Sequence, residues 1–188
     1  MLVLLIGLLP LSASFLLYFS GWRPSSTVNH GELIEPVRPI ADHALRDAEG
    51  KAVSFSDVHG KWVMVYFDTA ACPQTCIDNL YRMRQTHIAQ GKERERVERV
   101  FITTEGGASP ALKTRLADYA GMHIWSADTP TLSAIGADFG ETPVQLAQQH
   151  DIYLIDPRGN LFMRYTPDTN PAGLRKDLER LLKYSGAG

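Results

Sequence analysis

The larger, C-terminal part of the chain shows two kinds of hydrophobic pattern in alternation. Three short runs rich in β-branched and aromatic residues, 62–67, 97–103 and 152–155, predict strands that are buried inside a sheet. Between these runs the apolar residues recur every three or four positions, which predicts helices. One helix is expected to begin just after Cys72 and to continue towards Gly91. Further helices are expected at 111–119, 132–139 and 171–184.

Turn residues complete this pattern. Glu49-Gly50 lies between the short apolar stretches 44–45 and 53–55, which predicts a hairpin. Another short strand is expected at 122–125, residues 141–149 are predicted to be a polar loop, and the last hairpin strand is expected at 161–165. A strand, helix and strand followed by a hairpin and a terminal helix are typical of an α/β, thioredoxin-like fold.

The N-terminal segment is apolar and uncharged. Leu2 to Phe19 contains no Asp, Glu, Lys or Arg, and a helix of this length rises roughly 27 Å, close to the thickness of a bilayer's hydrocarbon core. We therefore predict a transmembrane helix as an anchor over residues 1–22. A cleaved signal peptide is the alternative, because residues 12–14 are small, but the lack of a basic residue before Arg23 argues against it.

A proline-containing stretch separates this segment from the rest of the chain. Residues 23–40 contain Pro24, Pro36 and Pro39 without periodic apolar spacing, which predicts a tether. We expect residues 41–188 to form one domain and the protein to be a monomer. The formal net charge is −2, from 19 basic and 21 acidic residues, which argues against nucleic-acid binding because no strong positive field is present.

Cys72 and Cys76 are the whole cysteine content, and they lie where a buried strand meets a helix. The loop between them is too short for a bridge to hold a fold together, so the pair points to chemistry. With Cys72 as the N-cap and Pro73 as the first helical residue, both sulfurs lie near the positive end of the helix dipole, which favours the thiolate. A separation of one helical turn, about 6 Å between Cα atoms, permits either a disulfide or joint binding of a soft metal ion.

A metal ion held by two thiolates needs a further ligand, and histidine or methionine is the obvious choice. His150 directly precedes the strand 152–155, and in a thioredoxin-like sheet the loop before it returns towards the cysteines. Position alone does not decide whether His150 is a metal ligand or has a structural role. The other histidines are expected to be solvated or packed: His30, His43, His59, His87 and His123.

Several motifs together resemble the Sco/SenC family. They are the strand 61–67, the Cys-Pro-x-x-Cys sequence that begins at Cys72, and His150 shortly before the Tyr-Leu-Ile-Asp-Pro-x-Gly sequence at 153–159. The resemblance spans about residues 41–184. It implies a membrane-tethered, thioredoxin-like copper chaperone that helps to assemble the binuclear copper site in subunit II of cytochrome c oxidase.

The resemblance also implies the ligands, the partner and the location. Cys72, Cys76 and His150 would bind one copper ion, as Cu(I) or Cu(II). The partner would be subunit II of cytochrome c oxidase or another oxidase assembly factor. The domain would lie in the bacterial periplasm, anchored to the inner membrane by the N-terminal helix.

The sequence departs from the family pattern at two places near these residues. Ile77 stands where the family commonly has proline, and the acidic stretch that follows the next strand is reduced to residues 104–110. Glu105 and Asp151 are therefore at most neighbouring groups of the metal ligands. The three ligands implied by the resemblance are unaffected.

An enzyme is the alternative function. In a thiol–disulfide oxidoreductase Cys72 would attack the disulfide of a client protein and Cys76 would resolve the mixed disulfide. This reaction does not need His150, so a substitution of His150 separates the two hypotheses. A peroxidase is a weaker third alternative, because no motif around Cys72 would activate a peroxide.

Overall fold

The computed structural model describes residues 2–20, 29–107 and 110–185, with the backbone alone for residues 2–7. Its strands are β1 (Glu32–Pro39), β2 (Leu45–Asp47), β3 (Ala52–Val53), β4 (Trp62–Asp68), β5 (Val97–Thr103), β6 (Met122–Ser126), β7 (Ile152–Ile155) and β8 (Asn160–Tyr165). Its helices are α1 (Leu2–Phe19), α2 (Gln74–Ala89), α3 (Pro110–Arg115), α4 (Thr129–Phe139), α5 (Pro143–Gln149) and α6 (Gly173–Tyr184). The buried strands predicted at 62–67, 97–103 and 152–155 are confirmed.

All of these strands form one mixed sheet in the order β1-β8-β7-β4-β5-β6-β2-β3. β4 lies near the middle of the sheet, parallel to β5 and antiparallel to β7, and every one of its residues is buried. The predicted hairpin is confirmed by the antiparallel pairing of β2 with β3. The predicted α/β layout of strand, helix and strand is likewise confirmed by β4, α2 and β5.

The two faces of β4 pack into separate hydrophobic clusters. Met64 and Tyr66 face a cluster that includes both cysteines and apolar residues of α2 and α6. Val65 and Phe67 face the other cluster, which is completed by residues of α4 and α5. This alternation follows from the pleat of a strand, in which successive side chains point to opposite faces. The cysteines therefore belong to one defined face of the sheet.

The prediction of a tether up to residue 40 is wrong for residues 32–39. These residues form β1, which pairs with β8 so that Glu32 lies opposite Arg164 and Leu33 opposite Met163. Prolines suggested an irregular segment, but an edge strand tolerates proline because one side of its backbone has no partner. The remainder of the tether prediction includes residues 23–28, which lie outside the described residues.

The prediction of a polar loop at 141–149 is also wrong. Residues 143–149 form α5, which begins with a capping box in which Thr142 and Gln145 exchange hydrogen bonds. The helix has seven residues, and only Leu146 and Ala147 are buried. So short a segment with two adjacent buried residues shows no clear apolar period. Cap chemistry starts this helix where hydrophobic spacing gives little signal.

The predicted membrane anchor over residues 1–22 is not supported. The N-terminal apolar segment does form a helix, α1, which contains Pro10 and ends at Phe19. Within the described ranges, however, no helix combines the length and the apolar character that a membrane span requires. Arg23, the first basic residue after this segment, lies outside the described residues.

Candidate functional site

Cys72 and Cys76 form a disulfide at the junction between β4 and α2. Their Cα atoms are 5.1 Å apart, and both residues are fully buried. The separation of four residues therefore brings the two sulfurs together, as the sequence predicts. In this oxidation state neither sulfur carries the free thiolate that would attack a disulfide or bind a metal ion.

The start of α2 differs by one residue from the sequence prediction. Pro73 is the N-cap and Gln74 the first helical residue, so Cys72 lies one position before the cap. Cys76 is in the first helical turn, next to backbone N–H groups that have no partner within the helix. The helix dipole consequently acts on Cys76 more directly than on Cys72.

The backbone of Cys72 is held in a left-handed conformation, with φ at 41°. Its N–H donates to the carbonyl of Thr69, and Nη1 of Arg115 donates to the carbonyls of Ala71 and Cys72 at 3.1 and 2.9 Å. Arg115 is the last residue of α3, so this helix fixes the loop that carries the first cysteine. Non-glycine residues rarely adopt this conformation unless their surroundings impose it.

His150 shares this feature, with φ at 55°, and it is the C-cap of α5. Among the residues that the structure describes, Cys72 and His150 are the two non-glycine residues with positive φ. Nδ2 of Asn79 donates to the carbonyl of His150 at 3.1 Å. Asn79 lies on α2, three residues after Cys76, so this hydrogen bond ties His150 to the helix that carries the second cysteine.

Sheet register brings His150 to Asp68. β4 and β7 are antiparallel with Tyr66 opposite Ile152, so Asp68 at the end of β4 meets His150, two positions before β7. Oδ2 of Asp68 accepts from the Tyr66 hydroxyl at 2.7 Å and lies 3.2 Å from Nδ1 of His150. The Tyr66 hydroxyl is itself 3.1 Å from the same Nδ1. Burial raises the pKa of Tyr66 well above its usual value, so the phenol stays protonated.

Sequence reasoning missed Asp68 and Tyr66. Asp68 is 2% exposed and ends a strand whose other residues are apolar or aromatic. A charged residue at the end of a run predicted to be buried is unusual, because a buried carboxylate must find hydrogen bonds. This was the signal available in the sequence, but it does not reveal the partner.

The two acidic residues considered near the ligands lie in different surroundings. Asp151 is buried beside Arg164, with its Oδ2 4.0 Å from Nη1 of the guanidinium, and burial raises the pKa of its carboxyl to about 6. Glu105 is exposed in the segment after β5. Neither residue contributes to the contacts of Asp68 and His150 described above.

Four of the other histidines that the sequence assigned to solvated or packed roles are packed or paired elsewhere, and His59 is exposed. Three of them pair with carboxylates at 2.7 to 3.0 Å: His30 with Asp177, His43 with Asp138, and His123 with Glu98. His87 is part-buried on α2, and burial lowers its pKa. Over residues 2–20, 29–107 and 110–185, no three His, Cys, Asp or Glu side chains are arranged as a metal site. The ligand set of Cys72, Cys76 and His150 therefore stays a prediction.

A central mixed sheet with a dithiol pair between β4 and α2 defines the thioredoxin-like class. The chain belongs to the family described as transmembrane-like, thioredoxin-like, C-terminal domain, which matches residues 62–185. No match was found among curated proteins.

Solved structures have the same fold. Bradyrhizobium japonicum ScoI with copper bound is 22% identical, with a TM-score of 0.60, and the match covers 74% of this chain and 97% of that chain. Yeast Sco1 with copper bound is 19% identical, with a TM-score of 0.64, and the match covers 81% of this chain and 98% of that chain. BsSco is 14% identical, with a TM-score of 0.63, and the match covers 80% of this chain and 96% of that chain. BsSco is described as a member of the Sco family of cytochrome c oxidase assembly proteins in which a disulfide switch was identified. The resemblance to the Sco/SenC family is thus confirmed as a shared fold.

Proposed function

We propose that this protein is a copper chaperone that carries one copper ion on Cys72, Cys76 and His150 and serves the assembly of cytochrome c oxidase. The observation that carries the proposal is the hydrogen bond from Asn79 to the carbonyl of His150. It ties the histidine to α2, the helix that carries the second cysteine, at a position three residues beyond Cys76. The copper-bound Sco structures of the same fold support copper as the cargo.

The donor set fits the chemistry of copper. Thiolates are soft ligands that select Cu(I), and an imidazole nitrogen suits copper in either oxidation state. Two sulfurs and one nitrogen suit a three-coordinate Cu(I) ion and leave room for an incoming ligand from the recipient protein. Release to a client is therefore compatible with such a site.

The disulfide makes copper binding dependent on redox state. Reduction of the bridge takes up two electrons and two protons and gives the thiols of Cys72 and Cys76, which lose their protons when they bind the metal. Oxidation removes the two electrons again and closes the bridge. We infer that the oxidised protein is the metal-free state. A reductant of the dithiol class must then reduce the Cys72–Cys76 disulfide before copper binds.

The proposed location is outside the cytoplasm, in the bacterial periplasm. A disulfide persists in oxidising compartments and is rare where cellular reductants keep thiols reduced. The proposed client is subunit II of cytochrome c oxidase or another assembly factor of that enzyme, since BsSco of the same fold belongs to a family of oxidase assembly proteins.

Reduction of a client's cysteines is the second candidate function. The observation that favours it is the disulfide itself, which is what a thiol–disulfide oxidoreductase forms after each turnover. Arg115, whose guanidinium donates to the carbonyl of Cys72, adds positive charge near the thiolate that would attack. The two functions use the same cysteines, but only copper binding requires His150.

The test measures copper on the full chain after reduction. Wild type and His150→Ala are compared by copper stoichiometry and by competition against a Cu(I) chelator. His43→Ala is the matched control, because His43 is also paired with a carboxylate. We expect one copper per chain in wild type and in the control, and weaker binding in His150→Ala.

Two outcomes contradict the chaperone proposal. Equal copper affinity in wild type and His150→Ala removes the histidine from the ligand set. Absence of tight copper binding in the reduced wild type, together with reversible cycling of the cysteine pair, favours the thiol–disulfide oxidoreductase.

A further inference from the structure

Asp68 is a buried carboxylate that lies beside one histidine and accepts hydrogen bonds from its own strand end. Oδ1 accepts from the backbone N–H of Thr69 at 2.7 Å, which fixes the carboxylate relative to its own strand end. Oδ2 accepts from the Tyr66 hydroxyl at 2.7 Å and faces Nδ1 of His150 at 3.2 Å. Asp68 is 2% exposed, so its carboxyl oxygens depend on these partners rather than on water.

Counting the hydrogens in this group determines which nitrogen of His150 carries one. The Tyr66 hydroxyl has a single hydrogen, and it is donated to Asp68. The Tyr66 oxygen can then only accept towards Nδ1 of His150, 3.1 Å away, and the Asp68 carboxylate can only accept as well. Nδ1 therefore carries the hydrogen, and Nε2 of the neutral ring keeps its lone pair.

The backbone of His150 is fixed at the same time as its ring. Its φ of 55° and the hydrogen bond from Asn79 to its carbonyl set the direction in which the side chain leaves the main chain. Tyr66 and Asp68 are two residues apart on β4 and so point to one face, where Tyr66 packs in the cluster that contains Cys72 and Cys76. The ring of His150 is thus held from the cysteine-bearing face of the sheet.

We propose that Asp68, together with Tyr66, is the positioning device that makes His150 bind copper through Nε2. The copper part of this inference rests on the proposed function; the assignment of the hydrogen to Nδ1 does not. Carboxylates that accept from the second ring nitrogen of a ligand histidine fix its tautomer and increase its basicity, and their loss typically weakens metal binding by about 10- to 100-fold. A residue that ends a buried strand thereby sets the tautomer and the basicity of a ligand that is distant in the sequence.

The first measurement determines the tautomer without copper. Nitrogen-15 labelled histidine in the reduced, metal-free full chain is observed by long-range nitrogen–proton NMR in wild type, Asp68→Asn and Tyr66→Phe. We expect Nδ1–H at His150 in wild type and a mixture of both tautomers in Asp68→Asn, because an amide can donate as well as accept. Asp138→Asn is the matched control: it alters the carboxylate partner of His43 and is expected to leave the signals of His150 unchanged.

The second measurement determines the effect on copper. Cu(I) affinity is obtained by chelator competition for the same variants, with circular dichroism to confirm that each is folded. We expect Asp68→Asn to bind about tenfold more weakly than wild type and Asp138→Asn to bind equally well. Tyr66→Phe keeps the carboxylate and provides a second, conservative variant, for which a smaller loss is expected.

Each result bears on a separate claim. Nε2–H at His150 in wild type overturns the inference, and so does an Asp68→Asn variant whose tautomer and copper affinity both equal those of wild type. If wild type binds no copper, the proposed function fails, while the tautomer of His150 still decides whether Asp68 positions the ring.

Discussion

Two buried aspartates contact the same kinds of side chain but have different effects on the structure. Asp68 and Asp177 are each 2% exposed, and each contacts a tyrosine hydroxyl and the Nδ1 of a histidine. Asp177 additionally accepts from the backbone N–H groups of His30 and Gly31 at 2.8 and 3.0 Å, which holds the chain just before β1 against α6. Asp68 accepts from one backbone N–H, that of the adjacent Thr69.

The difference shows that a histidine–aspartate–tyrosine group acquires its role from its neighbours. Around Asp177 the hydrogen bonds join two distant parts of the backbone, so their main effect is on stability. Around Asp68 they fix a side chain on the face of the sheet that also contains the Cys72–Cys76 disulfide. The two histidines are equally accessible, with side chains 30% and 28% exposed, so exposure does not distinguish their roles.

The largest expected difference between the two groups is in copper binding. His150→Ala should weaken Cu(I) binding by more than the ~10- to 100-fold expected for loss of a surrounding hydrogen-bond partner, because it removes a proposed ligand. His30→Ala should leave copper binding unchanged. Chelator competition on the reduced full chain checks both, and equal losses in the two variants would contradict a special role for His150.

The next largest difference is in stability. Asp177→Asn should lower the free energy of unfolding by about 3 kcal/mol, because one amide oxygen cannot serve the two N–H groups, the hydroxyl and the ring at once. Asp68→Asn should cost less, about 1–2 kcal/mol, since fewer backbone groups depend on it. Urea unfolding monitored by circular dichroism measures both values. A larger loss in Asp68→Asn would reverse the assignment of roles.

A third histidine–carboxylate pair predicts a pH dependence. Hydrogen bonds from His123 and Lys61 lower the pKa of Glu98 to about 2, below its ordinary value near 4.5. A carboxyl group whose pKa is lower in the folded state stabilises that state above pH 4.5, and this contribution is lost as the pH falls towards 2. Glu98→Gln should therefore lower the free energy of unfolding by about 2 kcal/mol at pH 7. Unfolding curves at several pH values check this: the difference between wild type and variant should shrink below pH 4.5, and a constant difference would contradict it.

The smallest expected effects come from the two tyrosines. Tyr66→Phe and Tyr165→Phe each remove one hydroxyl that contacts a buried aspartate, and each should cost about 1 kcal/mol of unfolding free energy. Of the two variants, only Tyr66→Phe should shift the ring nitrogen signals of His150 in NMR spectra, because only Tyr66 contacts that ring. A shift of those signals in Tyr165→Phe would mean that the two groups are coupled through the sheet.

Most of the fold follows from local patterns in the sequence. The apolar run of β4 and the helical spacing of α2 locate the Cys72–Cys76 pair at a strand–helix junction without knowledge of the topology. Patterns failed where packing or caps decide the structure: β1 contains prolines but pairs with β8, and α5 depends on a capping box. The membrane anchor inferred from α1 was likewise not supported.

The sequence by itself determined that the two cysteines lie at a strand–helix junction, because the apolar run of β4 and the helical spacing of α2 are local patterns. It also singled out His150 as a candidate ligand. Only the tertiary structure decided that Asp68 and Tyr66 hold this histidine. Tyr66 and His150 are 84 positions apart in the chain, and they meet because β7 pairs antiparallel with β4 in a register that aligns Tyr66 with Ile152. Strand order and register depend on how all elements bury their apolar faces together, and no local segment of the sequence contains that information.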